Sequence, residues 1–188
     1  MHKSYIIDPE TGKLLTAQEW KEKAGDNVTS AKMVAIVPDD GSPAFAFPVE
    51  ATAACSWKNA LAFAANYKAP HHIEGSDGTF TLPTRKQGLD FRIARESGLE
   101  QLLEMIGANF LLDQLRNEWH WTCEPYVPTG TPEDRWSSIR ASATLAWYYS
   151  PYGFSPSLYV RHALTARAVT LLNLKVNSCG EVAEAQAA

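Results

Sequence analysis

Cysteine is scarce in this 188-residue chain: Cys55, Cys123 and Cys179 lie far apart and are odd in number. No CxxC pair is present, so a zinc ribbon and a dithiol redox motif are excluded, and two buried thiols with a third in a tail is the plain reading. Apolar runs nowhere approach the roughly eighteen residues that a membrane-spanning helix requires, so no direct membrane insertion is expected. Met1 to Leu15 carries Lys3, Asp8, Glu10 and Lys13 and so lacks the apolar stretch of an export signal. The chain is therefore expected to be cytoplasmic as synthesised. A basic excess is missing too: 17 Lys and Arg stand against 21 Asp and Glu, a net charge of −4. That balance excludes a generic phosphate-backbone binder, so no nucleic-acid partner is expected.

Signatures of catalysis and of metal binding are equally absent. No GxSxG surrounds Ser137-Ser138, and there is no HExxH, GxxxxGK[ST] or GxGxxG. No acidic run matches a calcium loop. His71-His72 sit beside Gly75 and Gly78 in what reads as a solvated loop. His120 and Cys123 are close in sequence, but in a strand they face opposite sides, which argues against a catalytic pair. Glu124 and Asp134 flank a proline-rich loop and read as its rim. The expectation is a protein without enzymatic activity, cofactor or metal.

What the chain does have is a core's worth of material. Hydrophobic residues make up 45% of it, including 6 Trp, 7 Tyr and 7 Phe, and a domain of this length buries a core without staples. Thr16 with Glu19 forms a capping box that opens a helix over Ala17–Lys23, ended by Gly25. Met33–Val37 and Ala44–Val49, joined across Asp39-Asp40-Gly41-Ser42, read as a hairpin. Ser56 is placed to cap a helix to about Tyr67, with Trp57, Leu61 and Ala64 on one face beside Ala60 and Phe63. Thr84 with Gln87 opens a helix to about Arg95. Ser97 with Glu100 opens another over Leu99–Gly107, with Leu99, Leu102, Leu103 and Ile106 on one face.

After Glu118 the texture changes. Aromatic residues crowd in, and Pro128, Gly130, Pro132, Pro151, Gly153 and Pro156 punctuate the chain. Short strands are expected near Trp119–Cys123, Leu145–Ser150, Ser157–Arg161 and Ala166–Leu172. From Lys175 on there is no hydrophobic period, and 176–188 reads as a flexible tail. Helices first and irregular antiparallel strands last make an α+β chain. Its expected divisions are a lead-in over 1–30 with one short helix, a domain over 31–175, and the tail.

One window is peculiar. From Ser137 to Leu172 there is no Lys, Glu, Gln, Met, Asp or Asn. The whole chain has 9 Lys, 13 Glu, 5 Gln and 3 Met, so about six of those four types are expected there. Poor strand propensity of Lys, Glu and Gln explains part of the gap. Soluble strands nevertheless carry such residues on their wet face. An adenine-adenine-pyrimidine codon with randomised adenines cannot encode Lys, Glu, Gln, Met or Trp. Every residue of the window except Trp147 is in the set it can encode.

Trp57 in a helix, Leu82-Pro83-Thr84-Arg85 opening a helix, Trp136-Ser137-Ser138, Ala146-Trp147-Tyr148 and Arg167-Ala168-Val169 follow one another in the order of a known signature. Over roughly Val34 to Leu172 the chain resembles the variable proteins of diversity-generating retroelements. These display ligand-binding surfaces on a C-type lectin fold and are hypermutated through adenine in a C-terminal segment. The resemblance implies two main helices, small irregular antiparallel sheets and a ligand face on the C-terminal strands and loops. It also implies a variable segment of about 137–172 and a protein or cell-surface receptor as partner, as at a phage tail or an adhesin tip. Trp136, Ser137, Ser138, Ala146, Trp147 and Arg167 to Val169 map to the scaffold. The variable positions map to Ile139, Arg140, Ser142, Thr144, Leu145, Tyr148, Ser150, Tyr152, Phe154, Ser155, Ser157, Tyr159, Arg161 and His162. Phe80-Thr81 stands where the family has Trp-Arg, and the calcium-lectin triplets are absent. Glu124-Pro125-Tyr126 is no substitute, since Tyr offers no side-chain carbonyl, so no calcium-dependent sugar site is implied.

Tyr, Ser, Arg and His also form the alphabet of binding loops, where Tyr gives broad contact at low entropy cost and Ser adapts. Two other readings stand beside this one. One is a structural assembly domain that shares the fold without diversification. The other is an enzyme on the related formylglycine-generating fold, which needs a cysteine constellation that Cys123 and Cys179 do not supply.

Overall fold

The segment 1–30, expected as a lead-in, begins with a strand that lies inside a sheet. In the computed structural model, which describes residues 1–50, 52, 54–126, 145–150, 153–159 and 163–174, β1 (Lys3–Ile7) is followed by β2 (Leu14–Leu15). The Thr16–Glu19 capping box then forms as expected and starts α1 (Ala17–Ala24). A 3₁₀ turn over Gly25–Ser30 leads to β3 (Met33–Val37) and β4 (Ala44–Pro48), the expected hairpin. β1 pairs with both β2 and β3, so the N-terminal residues belong to the domain and do not precede it. Ile6 and Ile7 are fully buried.

A two-residue β5 (Ala54–Cys55) precedes α2 (Trp57–Asn66); Ser56 takes the cap position, but its side chain makes no capping hydrogen bond. The Thr84–Gln87 capping box opens α3 (Arg85–Ala94). The third expected box fails. The helix does not stop at Arg95 but runs through a π-helical turn, Arg95–Leu99, into α4 (Glu100–Met105). Ser97 Oγ donates to Ile93 O within that helix (2.8 Å), and the Glu100 carboxylate is taken by Arg95 (3.0 Å) and Arg116 (2.5 Å). Gly98, at φ +119°, sits where the π turn bends and where a side chain would strain the backbone. The apolar face expected there is real: Leu99, Leu102, Leu103 and Ile106 are all buried. A helix the sequence reading did not find, α5 (Asn109–Asn117), follows Gly107. The described residues thus hold four helical bodies instead of two, with α3 and α4 forming one of them.

Five further strands complete two sheets. β6 (His120–Tyr126), β7 (Leu145–Ser150), β8 (Gly153–Tyr159) and β9 (Leu164–Thr165) join β5 in the order β5-β9-β6-β7-β8. β10 (Thr170–Leu172) crosses to the first sheet, ordered β10-β4-β3-β1-β2. The expected strand Ala166–Leu172 is therefore strand only at its end, as β10, and its first part is the crossover that follows β9. β8 starts at Gly153, earlier than expected, and the sheets are not purely antiparallel, since His120 pairs parallel with Thr165. The fold is α+β. The expected tail lies outside the described residues.

The first sheet divides the core with the strand's period of two. Val34, Ile36, Phe45 and Phe47 face a compartment closed by Phe91, Leu99, Leu103, Leu111 and Leu112 from the helices. Their neighbours Met33, Ala35, Ala44 and Ala46 face a second compartment with Ala60, Ala64, Phe80, Leu82 and Trp121. Small residues on that side make room for the fully buried Trp121 indole, which donates to Cys55 O (2.8 Å). Volume is conserved across the interface by setting large against small. Gly88 serves the same end: a Cβ there would lie 2.8 Å from the Tyr149 ring, so glycine is what lets α3 pack on β7.

Candidate functional site

The β7–β8 hairpin carries half of the positions expected to vary. β6 and β7 pair with His120 opposite Tyr149 and Trp121 opposite Tyr148, and the register shifts before Pro125 opposite Ala146. β7 and β8 pair with Leu145 opposite Tyr159, Tyr148 opposite Ser155, Tyr149 opposite Phe154 and Ser150 opposite Gly153. Leu145, Ser150, Phe154, Ser155, Ser157 and Tyr159 thus share one hairpin. Ile139, Arg140, Ser142, Thr144, Tyr152, Arg161 and His162, with the scaffold residues Trp136 to Ser138, lie outside the described residues.

Tyr148 is the exception that the side chains decide. It is only 6% exposed and its ring stacks on Trp119 with centroids 5.1 Å apart. That is packing, so Tyr148 is withdrawn from the display positions. The pattern around it misled because a Tyr beside Ser and Pro looks like a contact residue, whereas this one faces the alanine-rich compartment. The mapped scaffold residues that can be seen are inside: Arg167, Ala168 and Val169 are buried, and so is Leu82 of the Leu82-Pro83-Thr84 element. Pro83 O accepts from Cys123 N (2.9 Å), which ties that element to β6. Trp57 is half-buried, its indole N–H donating to Thr122 O (2.8 Å).

Beneath the hairpin lies a buried polar cluster. Arg167 is 0% exposed and, among the described residues, has no carboxylate partner in hydrogen-bond contact. Its guanidinium donates to Glu50 O (2.7 Å), to Pro48 O (3.4 Å) and to Gln114 Oε1 (2.9 Å). Burial pulls its pKa down to about 10, so it stays charged at neutral pH. His120, fully buried, stacks on Tyr149 (4.9 Å) and donates from Nε2 to Gln114 O (3.1 Å). Burial first, and then the Arg167 charge, push its pKa down to about 3, which keeps it neutral. Burial also pushes the Tyr149 hydroxyl up, well above the phenol range. Among the described residues, His120 Nδ1, Tyr149 Oη and Arg167 Nε have no hydrogen-bond partner. A ring that cannot reach solvent is not a general base for an outside substrate. Cys123 is no nucleophile beside it, since it lies across the strand in the other compartment and burial raises its thiol pKa. Cys55 and Cys123 are free and half-buried, not fully buried as expected.

Gln114 links this cluster to the surface. Its Oε1 takes Arg167, while its Nε2 donates to Thr52 O (2.8 Å) and to Glu118 Oε2 (3.2 Å). The same Glu118 oxygen accepts from Thr165 Oγ1. Outside these residues opens a groove of about 510 Å³, floored by β5 and β9 through Ala54, Leu164 and Thr165 and walled by the end of α5. Phe110, 65% exposed, and Trp119, 45% exposed, line it. The sequence reading missed this groove because its parts come from around residues 52, 114 and 164. The one local signal was a Trp directly after the acidic end of an apolar helical stretch.

The remaining candidates are engaged locally. Glu124 accepts from Arg85 N (2.9 Å) and pairs with Arg85 Nε (3.1 Å), where a carboxylate favours the start of α3. His71 Nδ1 donates to His72 O (2.9 Å). Among the described residues, no three His, Cys, Asp or Glu come together as a metal site, and no helix is long and apolar enough to cross a membrane. Comparison with protein-family models, with curated proteins and with solved structures finds no match to this chain.

Proposed function

We propose that this chain is a ligand-recognition protein that displays a hypervariable surface on a C-type-lectin-type scaffold. On this reading the surface is diversified by a retroelement, and its partner is a protein or cell-surface receptor, as at a phage tail or an adhesin tip. The observation that carries the reading is the coincidence of composition with structure. The window without Lys, Glu, Gln, Met, Asp or Asn holds β7 and β8, a hairpin at the edge of a sheet. The signature residues that should stay constant, Leu82 and Arg167 to Val169, are buried. A surface that changes while its fold persists requires this separation, because core changes cost several kcal/mol and surface changes little. The reading assigns no catalytic residue, cofactor or metal.

The burial of Tyr148 favours the second reading, an assembly domain of the same fold without diversification. The neighbouring DNA separates the two. A reverse-transcriptase gene and a near-copy of the segment encoding residues 137–172, differing only at adenines, is the expected finding. A locus with neither overturns the diversified reading in favour of the assembly domain.

A further inference from the structure

We propose that the groove between the C-terminal end of α5 and the β5–β9 pair receives a positively charged side chain, Arg or Lys, from a partner protein. Three features converge on that chemistry. Among the described residues, Glu118 is the one acidic or basic side chain in the groove lining. Its Oε2 is fixed by Thr165 Oγ1 and Gln114 Nε2, and no Lys, Arg or His among the described residues forms a salt bridge with it. Two other half-buried acids are paired: Glu100 holds Arg95 and Arg116, and Glu124 holds Arg85. The second feature is the C-terminal end of α5, the pole of a helix that favours cations, as Arg95 Nη1 on Leu115 O (2.9 Å) already shows. The third is the pair of aromatic side chains. Trp119 has one face on Tyr148 and remains 45% exposed, and Phe110 is 65% exposed. Aromatic faces attract guanidinium and ammonium groups.

The buried Arg167 orients this charge and does not cancel it. It sits behind Gln114, which bonds the guanidinium at Oε1 and the Glu118 carboxylate at Nε2. The cation is therefore inside and the anion at the rim, and a charge entering the groove meets the anion first. The surroundings reinforce the sign. Asn117 Nδ2 holds Asp113 on the same helix (2.6 Å), while Arg116 is occupied by Glu100 and Glu104. The chain's net charge of −4 complements a basic partner. The volume of about 510 Å³ suits a long side chain with a stretch of backbone. Phe110 to Trp119 precede the window of unusual composition, and Leu164 and Thr165, though inside it, are not among its mapped variable positions, so this contact would be constant if that face varies.

The test uses the isotope-labelled full chain and the peptide acetyl-Arg-Gly-Arg-Gly-Arg-amide, with its citrulline counterpart as the uncharged isostere. The readouts are the Trp119 indole N–H, assigned with Trp119→Phe, and the Glu118 backbone N–H. The arginine peptide is expected to shift both along a saturating curve, and the citrulline peptide neither. Glu118→Gln, which keeps the length and an oxygen acceptor, should weaken binding about fivefold or more while the rest of the spectrum is unchanged. Should that variant fold poorly, Phe110→Ser, at an exposed position, carries the test with a several-fold loss. No shift with the arginine peptide, equal shifts with citrulline, or a response to methyl glucoside in place of the peptide would each overturn the proposal.

Discussion

The two sheets of this molecule are made of different material. In the first, β3 and β4 are apolar on both faces, and every buried residue finds an apolar partner on one side or the other. In the second, β6 alternates the buried polar residues His120 and Thr122 with Trp121 and Cys123, and the crossover after β9 brings in a buried guanidinium. The first sheet is held by area removed from water, about 1.5–3 kcal/mol for each fully buried large aliphatic or Phe side chain. The second is held by directional bonds that converge on Gln114 and open onto the groove. A sheet of the first kind tolerates no surface role. A sheet of the second kind fixes strand positions through backbone carbonyls and one amide, which leaves its outer hairpin free to carry other side chains.

The largest effect should follow from removing the hub of the second sheet. Arg167→Met keeps length and apolar bulk but removes the donor to Glu50 O and Pro48 O and leaves Gln114 Oε1 with Thr52 N alone. A loss of about 3 kcal/mol in denaturant titrations is expected, since each buried acceptor left unpaired costs about 1–3 kcal/mol. A loss below about 1 kcal/mol would show that the guanidinium is replaceable and the contrast between the sheets unreal. Next in size is a pH effect confined to the second sheet. The unfolded imidazole of His120 takes a proton near 6.5 and the folded one only near 3. The unfolded state therefore binds more protons in between, and stability present above 6.5 falls as pH drops through that window. From about pH 7 to about pH 5 the fall from this group is about 2 kcal/mol. His120→Phe, which keeps a ring against Tyr149, should abolish that component of the slope. Smaller again is Gly88→Ala. Its Cβ meets the Tyr149 ring at 2.8 Å, so melting should show a loss of about 1–3 kcal/mol despite the gain in helix propensity.

How much of this was legible in advance depended on whether the signal was local. Thr16 with Glu19 and Thr84 with Gln87 announce their helices because a capping box is complete within four residues. Ser97 with Glu100 has the same spelling and fails, because Arg95 and Arg116 claim the carboxylate and the helix continues upstream. β1 was passed over as lead-in: Lys3 and Ser4 hide a strand whose partner, β3, is some thirty residues away. α5 begins at Ala108 without a side-chain cap and so gave no start signal. The α+β class was readable from order alone. Arg167 is buried, yet nothing local in the sequence says that its partners are Pro48, Glu50 and Gln114.

The proposal's central claim is that the candidate variable positions serve display while the residues beneath the C-terminal hairpin serve packing. Paired thermal melts test it most directly. One variant replaces Arg140, Tyr152, Tyr159 and Arg161 together by Ser; the other is Tyr148→Ala, at the stacked position against Trp119. The account predicts that each change in the first variant contributes less than about 0.5 kcal/mol, leaving the transition nearly in place. It predicts that Tyr148→Ala alone loses about 3 kcal/mol. A collapse of the fourfold variant, with Tyr148→Ala little affected, would contradict it.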